Sequence, residues 1–255
     1  MQFYETGLNT GKTLMLLPGT ACDWQTNFKN VMPVLSEKYR LICVNYDGFD
    51  GGGEVFPDMI TVTEKIEKYI LENHGGQIDG AIGSSLGSSF VGQLIQRKNI
   101  HIAHGIFGSP DLDQCGRIQA KLQSMLVVPL LTKVNKSPKI WQKTKNTLKN
   151  FFEMSDETAE EFMRCFSKFK AESIKNEYYT DLLTYLDDDI YAENTKVHFI
   201  YANKMGEKYL KRYKKHFRDP EIREFDMQHE QWLFGGEKYA APVLEAIDGF
   251  METGK

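Results

Sequence analysis

The run Gly83-Ser84-Ser85-Leu86-Gly87 sets one serine, Ser85, between two glycines that each stand two residues away. An apolar stretch over 78–82 precedes it. A helical pattern over 86–97 follows, with Phe90, Val91, Leu94 and Ile95 on one face. A serine at a strand–turn–helix junction sits on a sharp bend with its hydroxyl above the sheet, where a nucleophile must stand. The bend demands close backbone approach, so a side chain at position 83 or 87 would strike the neighbouring strand or helix. The Leu86 N–H, unpaired at a helix start, can receive the charge of an oxyanion. Three fixed positions recur by chance in roughly one chain in ten of this length, so the placement carries more weight than the motif. Ser84, Ser88 and Ser89 lie close by, but the glycine spacing selects Ser85. The competing reading is a Gly/Ser-rich turn that binds phosphate or simply packs.

The elements around this turn follow from hydrophobic patterning. Apolar runs over 13–17, 40–46, 78–82 and 102–107 end in Pro18-Gly19, Asp47-Gly48, Gly83 and Gly108-Ser109-Pro110. Short continuous runs of this kind suit buried strands of a parallel sheet. A helical pattern over 60–73 carries Val62, Ile66, Tyr69 and Ile70 on one side, and Gly75-Gly76 ends it. Strand–helix alternation implies βαβ units with right-handed crossovers. From about 113 to 194 no strand pattern is evident. Ser155-Asp156-Glu157 reads as a helix start there, and Tyr178, Tyr179, Leu182, Leu183 and Leu186 continue a helical spacing. Alternation resumes with strands over 197–201 and 222–227, a helix over 208–217 and a C-terminal helix. The expected organisation is an α/β core over 1–111 and 195–255, interrupted by a helical insertion over 112–194 that covers the sheet end as a cap.

Composition narrows the function classes. The chain has 255 residues, of which 41% are hydrophobic and 26% charged, with a net charge of −4. That is ordinary soluble composition without an overall basic nucleic-acid footprint. The four cysteines, Cys22, Cys43, Cys115 and Cys165, form no C-x-x-C pair and have no metal-ligand spacing with a histidine, so reduced thiols and a cytoplasmic setting are expected. The first residues do not read as a signal peptide, and no run is long enough for a membrane span. The basic stretch over 208–218 and the smaller one over 143–149 read as solvated helix faces rather than anion-binding surfaces. Asp187-Asp188-Asp189 reads as a polar turn. The aromatics of the insertion, Phe152 and Phe162 among them, could line a pocket under a lid, but helical spacing is what a packed helix needs anyway and most are expected to be ordinary packing. The sequence carries no signal of oligomeric state.

Taken together the chain resembles the α/β-hydrolase superfamily over nearly its whole length. Ser85 with its glycines matches the nucleophile turn of that family. Leu16-Leu17-Pro18-Gly19-Thr20 resembles the family's oxyanion strand end, usually His-Gly-x, with Pro18 in place of histidine. Tyr46-Asp47-Gly48-Phe49-Asp50-Gly51 resembles the loop after the next strand. The resemblance implies a mostly parallel sheet with helices on both faces, a helical cap, and a catalytic order of serine, acid, histidine. It also implies a second oxyanion donor at the Thr20 backbone N–H, no metal and no organic cofactor.

Six histidines compete for the role of base. His229, in Asp226-Met227-Gln228-His229-Glu230, follows the last expected strand and so shares the sheet edge of Ser85. A free imidazole titrates near 6.5, which suits proton transfer around neutrality. The acid is less sharply marked. The family's usual slot falls near Met205, which cannot serve, and Glu207 lies two residues further. The other family variant places the acid after Gly108-Ser109-Pro110, where Asp111 and then Asp113 stand. Asp111 is preferred, although it can equally cap the first helix of the insertion. The expected activity is cleavage of a carboxylic ester or thioester of a small or medium acyl substrate. The alternatives are a lyase, carbon–carbon hydrolase or acyltransferase on the same scaffold, or a ligand-binding sensor with an impaired triad.

Overall fold

The computed structural model describes residues 1–252. In chain order the first elements are β1 (Gln2–Gly7), β2 (Thr13–Leu17), α1 (Trp24–Asn27), α2 (Met32–Lys38), β3 (Arg40–Asn45), α3 (Met59–His74), β4 (Gln77–Ser84), α4 (Leu86–Arg97) and β5 (His101–Gly108). Four helices follow, α5 (Arg117–Thr132), α6 (Pro138–Phe152), α7 (Asp156–Lys168) and α8 (Ala171–Leu183). The chain then returns to the sheet with β6 (Lys196–Ala202), α9 (Glu207–His216), β7 (Glu221–Phe225), α10 (Gln231–Phe234) and α11 (Glu237–Glu252).

The seven strands form one sheet in the order β1-β3-β2-β4-β5-β6-β7. All neighbours are parallel except β1, which runs antiparallel to β3 at the edge. The sheet is buried on both faces, as a parallel sheet requires. Along β2, Met15 and Leu17 join the core beside α3 and α4, while Leu14 and Leu16 join the core beside α11. This alternation is the period of two that a strand imposes. The edge strand β1 was not expected. Its residues are largely exposed, so it carries no continuous apolar run to betray it.

Register decides where the loops emerge. Leu17 pairs with Gly83, and Ser84 pairs with Gly108, so β2, β4 and β5 end side by side. The loops after these strands therefore open on one edge, with β4 near the middle. In parallel α/β sheets that carboxyl edge is where ligands bind. The helices α5 to α8 lie between β5 and β6 in the chain. Ser155 caps α7 through its side chain, which accepts from the Thr158 N–H at 3.1 Å. Among the described residues no helix is long and apolar enough to cross a membrane.

Candidate active site

Ser85 lies at the bend between β4 and α4 with φ +47° and ψ −113°. Such values are costly for a residue with a side chain and persist only where surrounding contacts enforce them. Those contacts are backbone atoms. A Cβ on Gly83 would overlap the carbonyl of Gly87, and one on Gly87 would overlap the Leu17 carbonyl oxygen. Strand, bend and helix thus press together with no room between them, as the glycine spacing implies. The Ser88 hydroxyl fastens the first turn by donating to the Gly83 carbonyl at 2.7 Å.

His229 follows β7 and its ring Nε2 stands 3.0 Å from the Ser85 hydroxyl oxygen. If the serine donates there, the neutral ring carries its proton on Nδ1. That atom is buried and, among the described residues, has no hydrogen bond of ordinary geometry. Burial lowers the His229 pKa, while the charge of Asp111 and the nearby Ser109 carbonyl raise it in part. The Ser109 carbonyl therefore favours a protonated ring without meeting hydrogen-bond geometry. Ser109 is itself held in a left-handed conformation, φ +48°, with its hydroxyl donating to the Ile200 carbonyl at 2.9 Å.

The three carboxylates considered for the acid are placed differently. Asp111 is exposed, and its backbone carbonyl accepts from Arg212 at 2.7 Å. Its charge acts on the His229 ring. Asp113 is half-buried, and burial together with the Asp111 charge pushes its pKa up. Glu207 is exposed in the first turn of α9. Neither Asp113 nor Glu207 is among the groups that shift the His229 pKa.

Two further glutamates shape the site, and sequence reasoning missed both. Glu230, next to His229 and itself at φ +52°, is buried beneath the serine bend. Its carboxyl accepts the Ser85 backbone N–H at 2.8 Å and the Trp232 indole N–H at 3.0 Å. Burial pushes its pKa up to about 8, against the pull of the Ser85, Trp232 and Ser84 hydrogen bonds. Glu177 comes from α8. It is fully buried, and one oxygen accepts the Ala21 N–H at 2.8 Å while the other has no hydrogen-bond partner among the described residues. Burial lifts its pKa well above the ordinary carboxyl range. A buried charge without an ion partner is expensive, so both groups hold their protons longer than a surface acid.

Glu177 bears on the loop after β2. The Gly19 N–H donates to Asn27 at 2.6 Å, and the Ala21 N–H donates to Glu177. Among the described residues no hydrogen bond engages the N–H of Thr20, between them, or of Leu86 at the start of α4. Both unengaged groups lie on the edge where Ser85 emerges.

A cavity of about 230 Å³ opens at this edge. Ser85, His229, Thr20 and Glu230 line its floor, and its walls are almost wholly apolar. Phe152, Phe162, Phe166 and Tyr178 come from the helical insertion, as do Val127 and Leu131 of α5. More of the insertion's aromatics face the cavity than helical packing alone would place there. Burial among these rings raises the Tyr178 hydroxyl to about 12.

No protein-family profile and no curated protein matches the chain in sequence. Solved structures do match its shape. One, described as an alpha/beta hydrolase family protein from Desulfitobacterium hafniense, has a TM-score of 0.70 at 16% identity, covering 96% of this chain and 99% of that one. A thermophilic esterase from Thermogutta terrifontis has a TM-score of 0.70 at 14% identity, covering 98% and 93%. A mutant epoxide hydrolase from Bacillus megaterium has a TM-score of 0.72 at 10% identity, covering 99% and 96%.

Proposed function

On the α/β-hydrolase fold that this chain adopts, we propose that the protein is a serine hydrolase that cleaves a carboxylic ester or thioester through an acyl-enzyme. The observation that carries this reading is the 3.0 Å approach of His229 Nε2 to a serine hydroxyl held on a strained bend. A hydroxyl that merely packed or capped a helix would need neither the strain nor the imidazole.

His229 removes the Ser85 proton as the oxygen attacks the acyl carbonyl. The Thr20 and Leu86 N–H groups receive the oxyanion, and each such donor contributes about 3 kcal/mol. Support for this pair comes from their neighbours, since Gly19 and Ala21 are already engaged. The imidazolium returns its proton to the leaving alcohol or thiol. Water, activated by the same ring, then cleaves the acyl-enzyme. Asp111 is the carboxylate we assign to steady the protonated ring, because its charge alone among the three candidates favours that form. Catalytic hydrogen bonds are often long before substrate binds.

Residues 112–194 act as the cap in this reading. The cavity is smaller than the roughly 300–1,000 Å³ of sites for drug-sized ligands, and its apolar walls suit a short or medium acyl chain. The test is hydrolysis of p-nitrophenyl esters of increasing chain length by the native chain and by Ser85→Ala. Turnover that prefers short to medium chains and vanishes in the variant is expected; unchanged turnover refutes the assignment. The unpartnered Nδ1 of His229 favours a second reading, a ligand-binding protein with an incomplete triad. Ligand binding without any turnover of the ester series would select it.

A further inference from the structure

The cap's first helix has two apolar faces, and only one of them is packed. Ala120, Ser124 and Val128 are buried, and Val127 and Leu131 on the same side line the cavity. On the other side Ile118, Leu122, Met125, Leu126 and Leu130 are 58–80% exposed. Their spacing of three and four residues makes one continuous stripe along α5. Scattered exposed leucines need no explanation, but a contiguous apolar stripe in water marks a contact surface.

Charge identifies what that surface meets. Between residues 117 and 152 there are eight lysines and arginines and no aspartate or glutamate, in a chain whose net charge is −4. Lys145 and Lys149 are engaged by Glu160 and Asp156 of α7. Arg117 and Lys121 near the start of the stripe, and Lys133 and Lys136 just past its end, are exposed. Among the described residues none of these four enters an ion pair. An apolar face edged by unpaired cations is the composition of a helix that lies in the headgroup region of a membrane. A second copy of this chain fits poorly, because a two-fold interface would set like charges against like.

We propose that α5 is an interfacial anchor that lays its exposed stripe into an anionic phospholipid bilayer, with the flanking lysines on the headgroups. In this mode α5 lies on the membrane surface, and the opposite face of the same helix forms a wall of the cavity. The proposal does not depend on the chemistry assigned to Ser85.

Co-sedimentation of the full chain with phosphatidylcholine vesicles, with and without phosphatidylglycerol, tests it. Binding to the anionic vesicles is expected to exceed binding to the neutral ones by at least about tenfold and to weaken with added salt. Joint Leu126→Asp and Leu130→Asp substitution should abolish binding without lowering the thermal midpoint, because both side chains already face water. Lys133→Glu with Lys136→Glu should weaken binding by roughly tenfold while leaving the stripe intact. Ser85→Ala should bind as the native chain does, so a catalytic failure and a docking failure are separable. The proposal is overturned by absence of binding to either vesicle, or by binding that ignores both lipid charge and these substitutions. A native dimer in sedimentation velocity that Leu126→Asp disperses would assign the stripe to a second copy and overturn it equally.

Discussion

The carboxyl edge of the sheet and the helical insertion both line one cavity, yet they treat buried polar groups in opposite ways. At the sheet edge the polar groups beneath Ser85 are closed on one another: Glu230 holds the Ser85 and Trp232 N–H groups, and Ser88 holds the Gly83 carbonyl. Among the described residues of the insertion Ser124, Glu177 and Asp181 each bury an oxygen without a hydrogen-bond partner, and α5 turns leucines to water. A fully paired network fixes a single geometry, whereas unpaired groups and exposed apolar surface leave local stability low. A single geometry is therefore fixed at the bend that carries the hydroxyl, and the looser packing lies in the helices of the insertion. Two side chains cross between the regimes. Glu177 reaches from α8 to the loop after β2, and the buried Nδ1 of His229 has no hydrogen-bond partner among the described residues.

The sharpest way to break this contrast is to damage the closed side. His229→Ala should lower kcat/KM for a p-nitrophenyl ester by about 10⁴-fold or more, with little change in thermal midpoint. A loss below tenfold would mean that the sheet edge is not the reactive half.

The bridge from the helical insertion should matter next. Glu177→Ala leaves the Ala21 N–H buried and unpaired, which costs about 1–3 kcal/mol in stability and loosens the loop after β2. Roughly a tenfold loss of kcat is expected, and Glu177→Gln, which keeps an acceptor for that N–H, should recover most of it. Equal loss in both variants would point to a charge at 177 rather than a hydrogen bond.

Asp111 gives a smaller effect with a definite sign. Its charge raises the His229 pKa against the lowering by burial. Asp111→Asn should move the acidic limb of kcat/KM further below 6.5 and reduce its plateau by about tenfold, while Asp113→Asn and Glu207→Gln leave the limb in place. A limb that moves upward, or moves in either of the other variants, contradicts the assignment.

The smallest effect concerns stability. Glu230 keeps its proton in the folded chain up to about 8, whereas the unfolded side chain loses it near 4.5. Below 4.5 both states are protonated and the contribution is whole. As pH rises the unfolded chain releases its proton first, and the contribution is lost by the time pH passes the folded value. Urea midpoints should therefore fall between about pH 5 and pH 8, and the fall should shrink in Glu230→Gln.

The same contrast explains what could be read from the residues. Four apolar runs ended by glycine, proline or a turn appear as β2 to β5, the strand expected over 197–201 appears as β6, and the pattern over 86–97 is α4 to the residue, because strands and bends are local matters. The run expected over 222–227 is the strand Glu221–Phe225, shortened because Met227 already belongs to the histidine loop. β1, α1 and α2 went unread, being exposed or too short to show a period. Ser85 and His229 were legible because their neighbours announce the bend and the loop. Glu230 and Glu177 were not, since a buried glutamate and a surface glutamate are the same letter. One signal was present for Glu177: it stands three residues after Ile174, on the apolar side of α8 where a charged residue is out of place. Nothing comparable marks Glu230.

The account stands on an activated hydroxyl at Ser85, and an active-site-directed fluorophosphonate probes that directly. Stoichiometric labelling, mapped to Ser85 by peptide mass spectrometry and lost in His229→Ala, is the expected result. A native chain that stays unlabelled while folded, or that labels at another serine, would contradict the account.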